Sequence, residues 1–217
     1  MKDATHIAVL LDRSGSMGSV KDETISGFND FLKEQKAAGD NASFTLVQFD
    51  SESTDVVHEA KPVRAVPDLN QATYQPRGST PLLDALGQTI NSTGRTLAAI
   101  PETNRPDKVV FVVITDGEEN ASHKFTKKQV KQMIDHQTEK YDWQFVYLGA
   151  NQDAFAEAGA VGISMAKAAN YSPASMKRAF AGTSFNVAEY RRTGVAASLE
   201  YSDEQRGRMM KEDKDEA

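Results

Sequence analysis

Two short apolar runs constrain this chain more than anything else in it: Ile7-Ala-Val-Leu-Leu11 and Val109-Val-Phe-Val-Val-Ile114. Each stops abruptly at polar residues, Asp12-Arg-Ser14-Gly-Ser16-Met-Gly18 in the first case and Thr115-Asp116-Gly117-Glu-Glu-Asn120 in the second. Such runs are too short to cross a membrane. Next to glycine-containing loops they read as strands covered on both faces, the pattern of a parallel sheet.

The segments between them read as helices and outer strands. Residues 21–39 carry Ile25, Phe28 and Leu32 at helical spacing, with Phe31 widening the stripe and Gly39 as the stop. Residues 44–49 are the second predicted strand and residues 54–59 the third, joined by the polar turn Asp50-Ser-Glu-Ser-Thr54. So short a link joins only antiparallel strands, and the charges of the third suit an edge. Residues 62–77, with prolines at 62, 67 and 76, read as a long surface loop. Gly78-Ser79-Thr80-Pro81 then opens a helix with Leu82, Leu83, Leu86 and Ile90 on its apolar side.

Further on, the pattern predicts a helix over 127–140, a strand over 143–148 and a short helix over 151–158. The stretch 163–169 is ambiguous and reads best as a short last strand. Ser172-Pro173 signals a final helix, with Met176, Phe180 and Val187 on one side and its end near Gly194. From Ser202 onward charges alternate in sign, so residues 196–217 are expected to form a frayed or disordered tail behind a domain at 4–195. The alternation of strand and helix predicts an α/β, three-layer, doubly wound fold of Rossmann-like type. Its central sheet is mainly parallel, with one antiparallel edge strand.

Composition removes several function classes. A net charge of −6 argues against non-specific nucleic-acid binding. No apolar run is long enough for a membrane span, and no secretory leader is expected ahead of the first strand. The absence of cysteine excludes disulfides and thiolate metal sites and is compatible with a cytoplasmic protein.

Beyond the first strand, residues at i, i+2 and i+4 of an extended segment project to one side, so Asp12, Ser14 and Ser16 can converge. Thr80 lies just before a helix and Asp116 just after the second apolar run. If the two strands are neighbours, both aspartates overhang one crevice. Hard oxygen donors of this kind suit a divalent cation such as Mg²⁺ or Mn²⁺. A plainer reading stands beside this one: Asp12, Ser14 and Asp116 as turn residues, Ser16 or Ser19 as a helix N-cap, and Thr80 as an N-cap with Pro81 behind it.

Asp-x-Ser-x-Ser after a first strand, a later Thr before a helix and Thr-Asp-Gly after an apolar strand together resemble the von Willebrand factor A (vWA) family. The match covers the five residues of its metal-ion-dependent adhesion site (MIDAS): Asp12, Ser14, Ser16, Thr80 and Asp116. The resemblance implies the sheet order 3-2-1-4-5-6 and a site for Mg²⁺ or Mn²⁺ ahead of Ca²⁺. It also implies a metal-dependent protein-protein interaction module, in which a partner's Asp or Glu reaches the ion. Glu118 and Glu119 would then repel the wrong acidic partners, and Arg13 and Arg77 attract the right one, unless all four are solvated rim charges. The family's switching behaviour implies that the final helix moves with metal coordination.

Compact bacterial or phage members of the family imply a second reading, an accessory subunit beside an AAA+ ATPase, in chelatase-type or tellurite-resistance-type complexes. A third reading, a divalent-cation phosphohydrolase, has less behind it. The chain shows no nucleophile elbow, phosphate loop or dinucleotide fingerprint, and His6, His58, His123 and His136 lack zinc-binding spacing. The chain is therefore expected not to be an enzyme. An EF-hand starting at Asp12 fails because Met17 stands where that loop needs Gly.

Overall fold

The computed structural model describes residues 3–150 and 153–211. Strand β1 (Thr5–Asp12) is followed by a 3-10 turn and helix α1 (Lys21–Ala37); β2 (Ala42–Phe49) and β3 (Thr54–Pro62) come next. A long loop leads to α2 (Leu82–Ala98), β4 (Lys108–Thr115), α3 (Lys127–Tyr141) and β5 (Gln144–Ala150). The chain continues through α4 (Ala154–Ala160), β6 (Ala168–Tyr171), α5 (Met176–Thr193) and α6 (Asp203–Met210). The expected helix at 151–158 is thus α4, and its first two residues lie outside the described ones. The ambiguous stretch at 163–169 resolves into a 3-10 turn at Met165–Lys167 and the short strand β6. Among the described residues no helix is long and apolar enough to cross a membrane.

The six strands lie in the order β3-β2-β1-β4-β5-β6, the order that the resemblance implies, and run parallel except for β3 at one edge, as the alternation and the short link after β2 predict. Successive residues of a strand face opposite layers, and this explains the unbroken apolar runs. Ile7, Val9 and Leu11 pack with Val110, Val112, Phe28 and Phe180 on the α1 and α5 side. Ala8 and Leu10 pack with Phe111, Val113, Leu86 and Ile134 on the α2 and α3 side. Strands with two buried faces need apolar residues at every position.

On the first side, α5 crosses α1 at close range. Phe180 stands edge-on to Phe28 and Phe31, with ring centroids 6.5 Å from each. A Cβ on Gly27 would lie 2.5 Å from the Phe180 ring, so the glycine is what admits it. Buried Arg191 adds a polar tie, donating to the carbonyl oxygens of Gln35 and Gly39 at the end of α1.

Residues 196–211 differ from the expected tail, whose remainder, 212–217, lies outside the described residues. Where a frayed or disordered tail is predicted, residues 203–210 form α6, capped reciprocally by Ser202 and Gln205. Met209 is buried over Gly182, whose missing side chain leaves room for it. The Met209 carbonyl accepts from Ser172 N (2.9 Å), and the Arg206 guanidinium donates to the carbonyls of Met165 and Ala166 (3.0 and 3.1 Å). One apolar anchor and several backbone bonds hold the helix, a combination that leaves almost no hydrophobic periodicity to read.

Two predictions follow from this packing. Gly27→Ala raises helix propensity by up to about 1 kcal/mol yet overpacks the α1–α5 contact, so urea denaturation is expected to show a net loss of roughly 1–2 kcal/mol. The second concerns His6, 1% exposed on β1, whose Nδ1 lies within hydrogen-bonding distance of the Ser43 hydroxyl (2.8 Å) and Nε2 of the Thr45 hydroxyl (3.3 Å). Burial lowers its pKa from 6.5 to about 4. Between those values the unfolded chain binds a proton that the folded chain does not, so stability falls as pH drops through that window. The loss between pH 7 and 4.5 is expected to be about 2–3 kcal/mol, and His6→Gln should abolish most of it. An equal pH slope in both proteins would contradict the assignment.

Candidate metal centre

β1 and β4 are direct parallel neighbours, with Leu11 opposite Ile114, so the residues that follow each strand leave the sheet side by side. Asp12 turns back on its own loop: Oδ1 accepts from Ser14 N (2.7 Å), while Oδ2 accepts from the Thr115 hydroxyl (2.6 Å). The Ser14 and Ser16 hydroxyls are 3.1 Å apart, and Ser16 donates to Asp116 Oδ1 at 2.6 Å. Thr80 closes the group, since a Cβ built on Gly117 would stand 3.0 Å from the Thr80 hydroxyl and 3.6 Å from that of Ser16. The structure therefore gathers Asp12, Ser14, Ser16, Thr80 and Asp116 at one point of the sheet edge.

Of the plainer roles, the turns at Asp12 and Ser14 are present and the helix caps are not. Ser14 makes no capping bond and α1 is preceded by Val20, so neither Ser16 nor Ser19 caps it. Thr80 does not cap α2 either; Pro81 holds the cap position without a side-chain bond. The first turn of α2 is served instead by the loop after β4. Leu83 N donates to Glu119 Oε2 (2.8 Å) and Asp84 N to Ser122 Oγ (3.0 Å). Asp84 returns the tie, accepting from the backbone N–H of His123, Lys124 and Phe125 at 2.9–3.0 Å. The Thr80 hydroxyl is thus left for the cluster.

The electrostatics leave room for a cation. Burial pushes the Asp12 carboxyl up to about 6, and the charge of Asp116 adds to the shift against the hydrogen bonds from Thr115 and Ser14. Burial raises Asp116 as well, against its bond from Ser16. No Lys, Arg or His pairs with either carboxylate among the described residues. Two desolvated carboxylates beside three hydroxyls make a hard, oxygen-only donor set whose charge matches a divalent ion. Among the described residues no three His, Cys, Asp or Glu side chains gather where they could hold a metal ion; the cluster has two carboxylates and three hydroxyls.

Three of the four charges expected to face a partner are already engaged. Arg13 is buried; it donates to Asp50 at 2.7 Å and to Asp55 at 2.8 Å. Arg77 donates to the same Asp50 oxygen at 3.0 Å. Glu119 holds the start of α2, and of the four only Glu118, which is exposed, makes no such tie among the described residues. The motifs gave no supporting role to Asp50 or Thr115 and read Glu119 only as a charge facing a partner; they gave no hint of two buried tyrosines beneath the site. Tyr74 donates to the Asp12 carbonyl (2.5 Å) and Tyr171 to the Thr115 carbonyl (3.0 Å), holding the ends of β1 and β4. Their partners are at least 56 residues away in sequence, beyond the reach of local patterns.

A family model, the von Willebrand factor type A domain, matches residues 6–188. No curated protein sequence matches the chain. Among solved structures, proximal thread matrix protein 1 from the mussel byssus aligns at a TM-score of 0.59 and 14% identity, over 82% of this chain and 46% of that one. A structure of the same mussel protein with a zinc-occupied MIDAS motif aligns at 0.56 and 16%, over 82% and 46%. A von Willebrand factor type A protein from Catenulispora acidiphila aligns at 0.54 and 14%, over 90% and 42%. The chain spans less than half the length of these relatives, and at such identities the likeness is one of fold.

Glu119→Ala removes the carboxylate that bridges α2 to the loop carrying Asp116. It is expected to cost about 1–2 kcal/mol, the scale of a lost helix cap. Hydrogen exchange at the Leu83 amide should speed up in the variant, and unchanged protection there would refute the capping role.

Proposed function

Because the chain belongs to the von Willebrand factor type A domain family, a module that often mediates metal-dependent protein interactions, we propose that it docks a partner's Asp or Glu at a divalent cation held by Asp12, Ser14, Ser16, Thr80 and Asp116. The observation that carries this reading is the meeting of two buried carboxylates, unpaired with any basic side chain, with three hydroxyls at the carboxyl ends of β1 and β4. The ion is Mg²⁺ or Mn²⁺ in this reading, since all five donors are hard oxygens. The mussel protein with zinc in its MIDAS motif supports occupation of such a site by a divalent metal.

When bound, the ion supplies a Lewis-acidic position for a carboxylate oxygen of the partner. Asp12 and Asp116 balance its charge. Ser14, Ser16 and Thr80 contribute neutral oxygens, which leave its attraction for a further anion largely intact. Thr115 holds Asp12 by hydrogen bonding its outer oxygen, and Gly117 keeps the space beside Thr80 and Ser16 clear. In this reading the site binds and does not turn a substrate over, because both carboxylates, the raised Asp12 among them, are taken up by the ion and neither is left to shuttle a proton. Partner affinity is linked to the free metal concentration.

Asp12→Ala and Asp116→Ala are expected to weaken Mn²⁺ and Mg²⁺ binding in calorimetric titration by more than the roughly 10–100-fold that outer-shell changes cost. Circular dichroism should remain that of the folded domain, because Asp12 is the last residue of β1, Asp116 lies just past β4, and neither belongs to the apolar core. Thr115→Val should fall within that 10–100-fold range. Unaltered metal affinity in both aspartate variants would dismiss the site.

A further inference from the structure

The charges around the site identify the surroundings of the carboxylate it accepts. Asp50 is fully buried at the turn between β2 and β3. Its Oδ2 takes both guanidiniums, Arg13 Nε at 2.7 Å and Arg77 Nε at 3.0 Å. Its Oδ1 accepts from the backbone N–H of Glu52 and Ser53 at 2.7 and 3.0 Å. Burial alone would raise its pKa, but these donors outweigh it and hold the carboxyl below its ordinary value.

The same network ties three loops together. Arg77 N donates to the Arg13 carbonyl (2.8 Å), Gly15 N to the Gly78 carbonyl (3.0 Å) and Ser79 N to Ser51 Oγ (2.9 Å). Gly78, at φ +66°, passes so close to Ser51 that a Cβ would lie 2.4 Å from its hydroxyl. The arginines are therefore fixed parts of the frame. Swinging either one out to meet an anion would take a guanidinium away from buried Asp50.

The remaining charges can be matched by sign. Asp50 and Asp55 balance Arg13 and Arg77, and Asp12 and Asp116 balance a bound divalent ion. Glu119 is satisfied by the start of α2. Two carboxylates remain in the loops around the site. Glu118 is exposed and makes no ion pair among the described residues, and it follows Gly117 at the centre of the cluster. Glu52 is 61% exposed, and its 3.2 Å contact is with an Arg77 already held by Asp50. With the ion in place, Glu118 and Glu52 are left as exposed negative charges in the loops around it.

We infer that the partner presents its metal-seeking carboxylate among basic side chains, which pair with Glu118 and Glu52 while the acidic oxygen goes to the ion. An acidic segment would meet like charge on the rim. The inference rests on the metal-docking reading above and specifies the partner for that site.

The test uses the full chain, saturated with Mn²⁺, and short fluorescent peptides read by anisotropy. One peptide carries a single central Asp between Lys and Arg residues, a second the same Asp between Glu residues, and controls carry Asn at the centre. At low ionic strength the basic-flanked Asp peptide is expected to bind roughly tenfold tighter than the acidic-flanked one, the sum of two modest ion pairs. Salt should narrow the gap, and Glu118→Lys or Glu52→Lys should each shrink it.

Equal binding of the two Asp peptides, lost on chelation, would overturn this inference and leave the metal-docking reading standing. So would a gap that both lysine variants leave unchanged. Basic-flanked Asn binding as well as Asp would mean simple attraction to an acidic protein and would also overturn it. Binding of neither Asp peptide to the metal-loaded chain would overturn both readings.

Discussion

The parallel pairing of β1 with β4 holds both the core and the site in place. Each strand is buried on two faces, so a slip of one residue would exchange the side chains of the two layers and disrupt both. The register that packs Ile7, Val9 and Leu11 against one layer and Ala8 and Leu10 against the other also sets Leu11 opposite Ile114. Asp12 and Thr115 are then within reach of a 2.6 Å hydrogen bond, and Asp116 stands one residue farther on. The alignment of the chemistry is a consequence of how the core packs.

The molecule buries carboxylates at this end of the sheet in two different ways. Asp50 is answered by protein: two guanidiniums and two backbone N–H groups converge on it. Asp12 and Asp116 receive hydroxyl and backbone donors but no side-chain cation. A buried carboxylate with its own arginines is a structural element that joins loops. Buried carboxylates without a cation are held above their ordinary pKa by desolvation, a state that a metal would relieve. The contrast between these neighbours is what marks one as frame and the other as site.

Around the site, rigidity comes from side chains bonded to backbone. Glu119 and Asp84 exchange bonds between α2 and the loop after β4, while Tyr74 and Tyr171 hold the strand ends from below. Tyr171 lies on β6, a few residues before α5, so the end of β4 is linked to the layer of α1, α5 and α6. That layer is closed in turn by Phe180 in the Gly27 gap and by Met209 over Gly182. Small residues at these two crossings allow the terminal helices to lie close against the rest.

Local pattern determined a great deal here. The apolar runs specify strands buried on both faces, the helical stripes specify what covers them, and the short turn after Phe49 specifies an antiparallel edge. The spacing of Asp12, Ser14 and Ser16, with Thr80 and Asp116, marked the residues that the fold brings together. All of this is legible because it depends on periods of two and 3.6 residues and on motifs a few residues long. Tertiary structure alone decided which charges are free. Arg13, Arg77 and Glu119 read as rim charges in the sequence, yet each is engaged with a group 27 to 37 positions away. It also decided that residues 203–210 form a docked helix, since one buried methionine and a few backbone bonds leave no periodic trace. Ion pairs and caps between distant segments depend on where the fold sets their partners, and no local spacing encodes that.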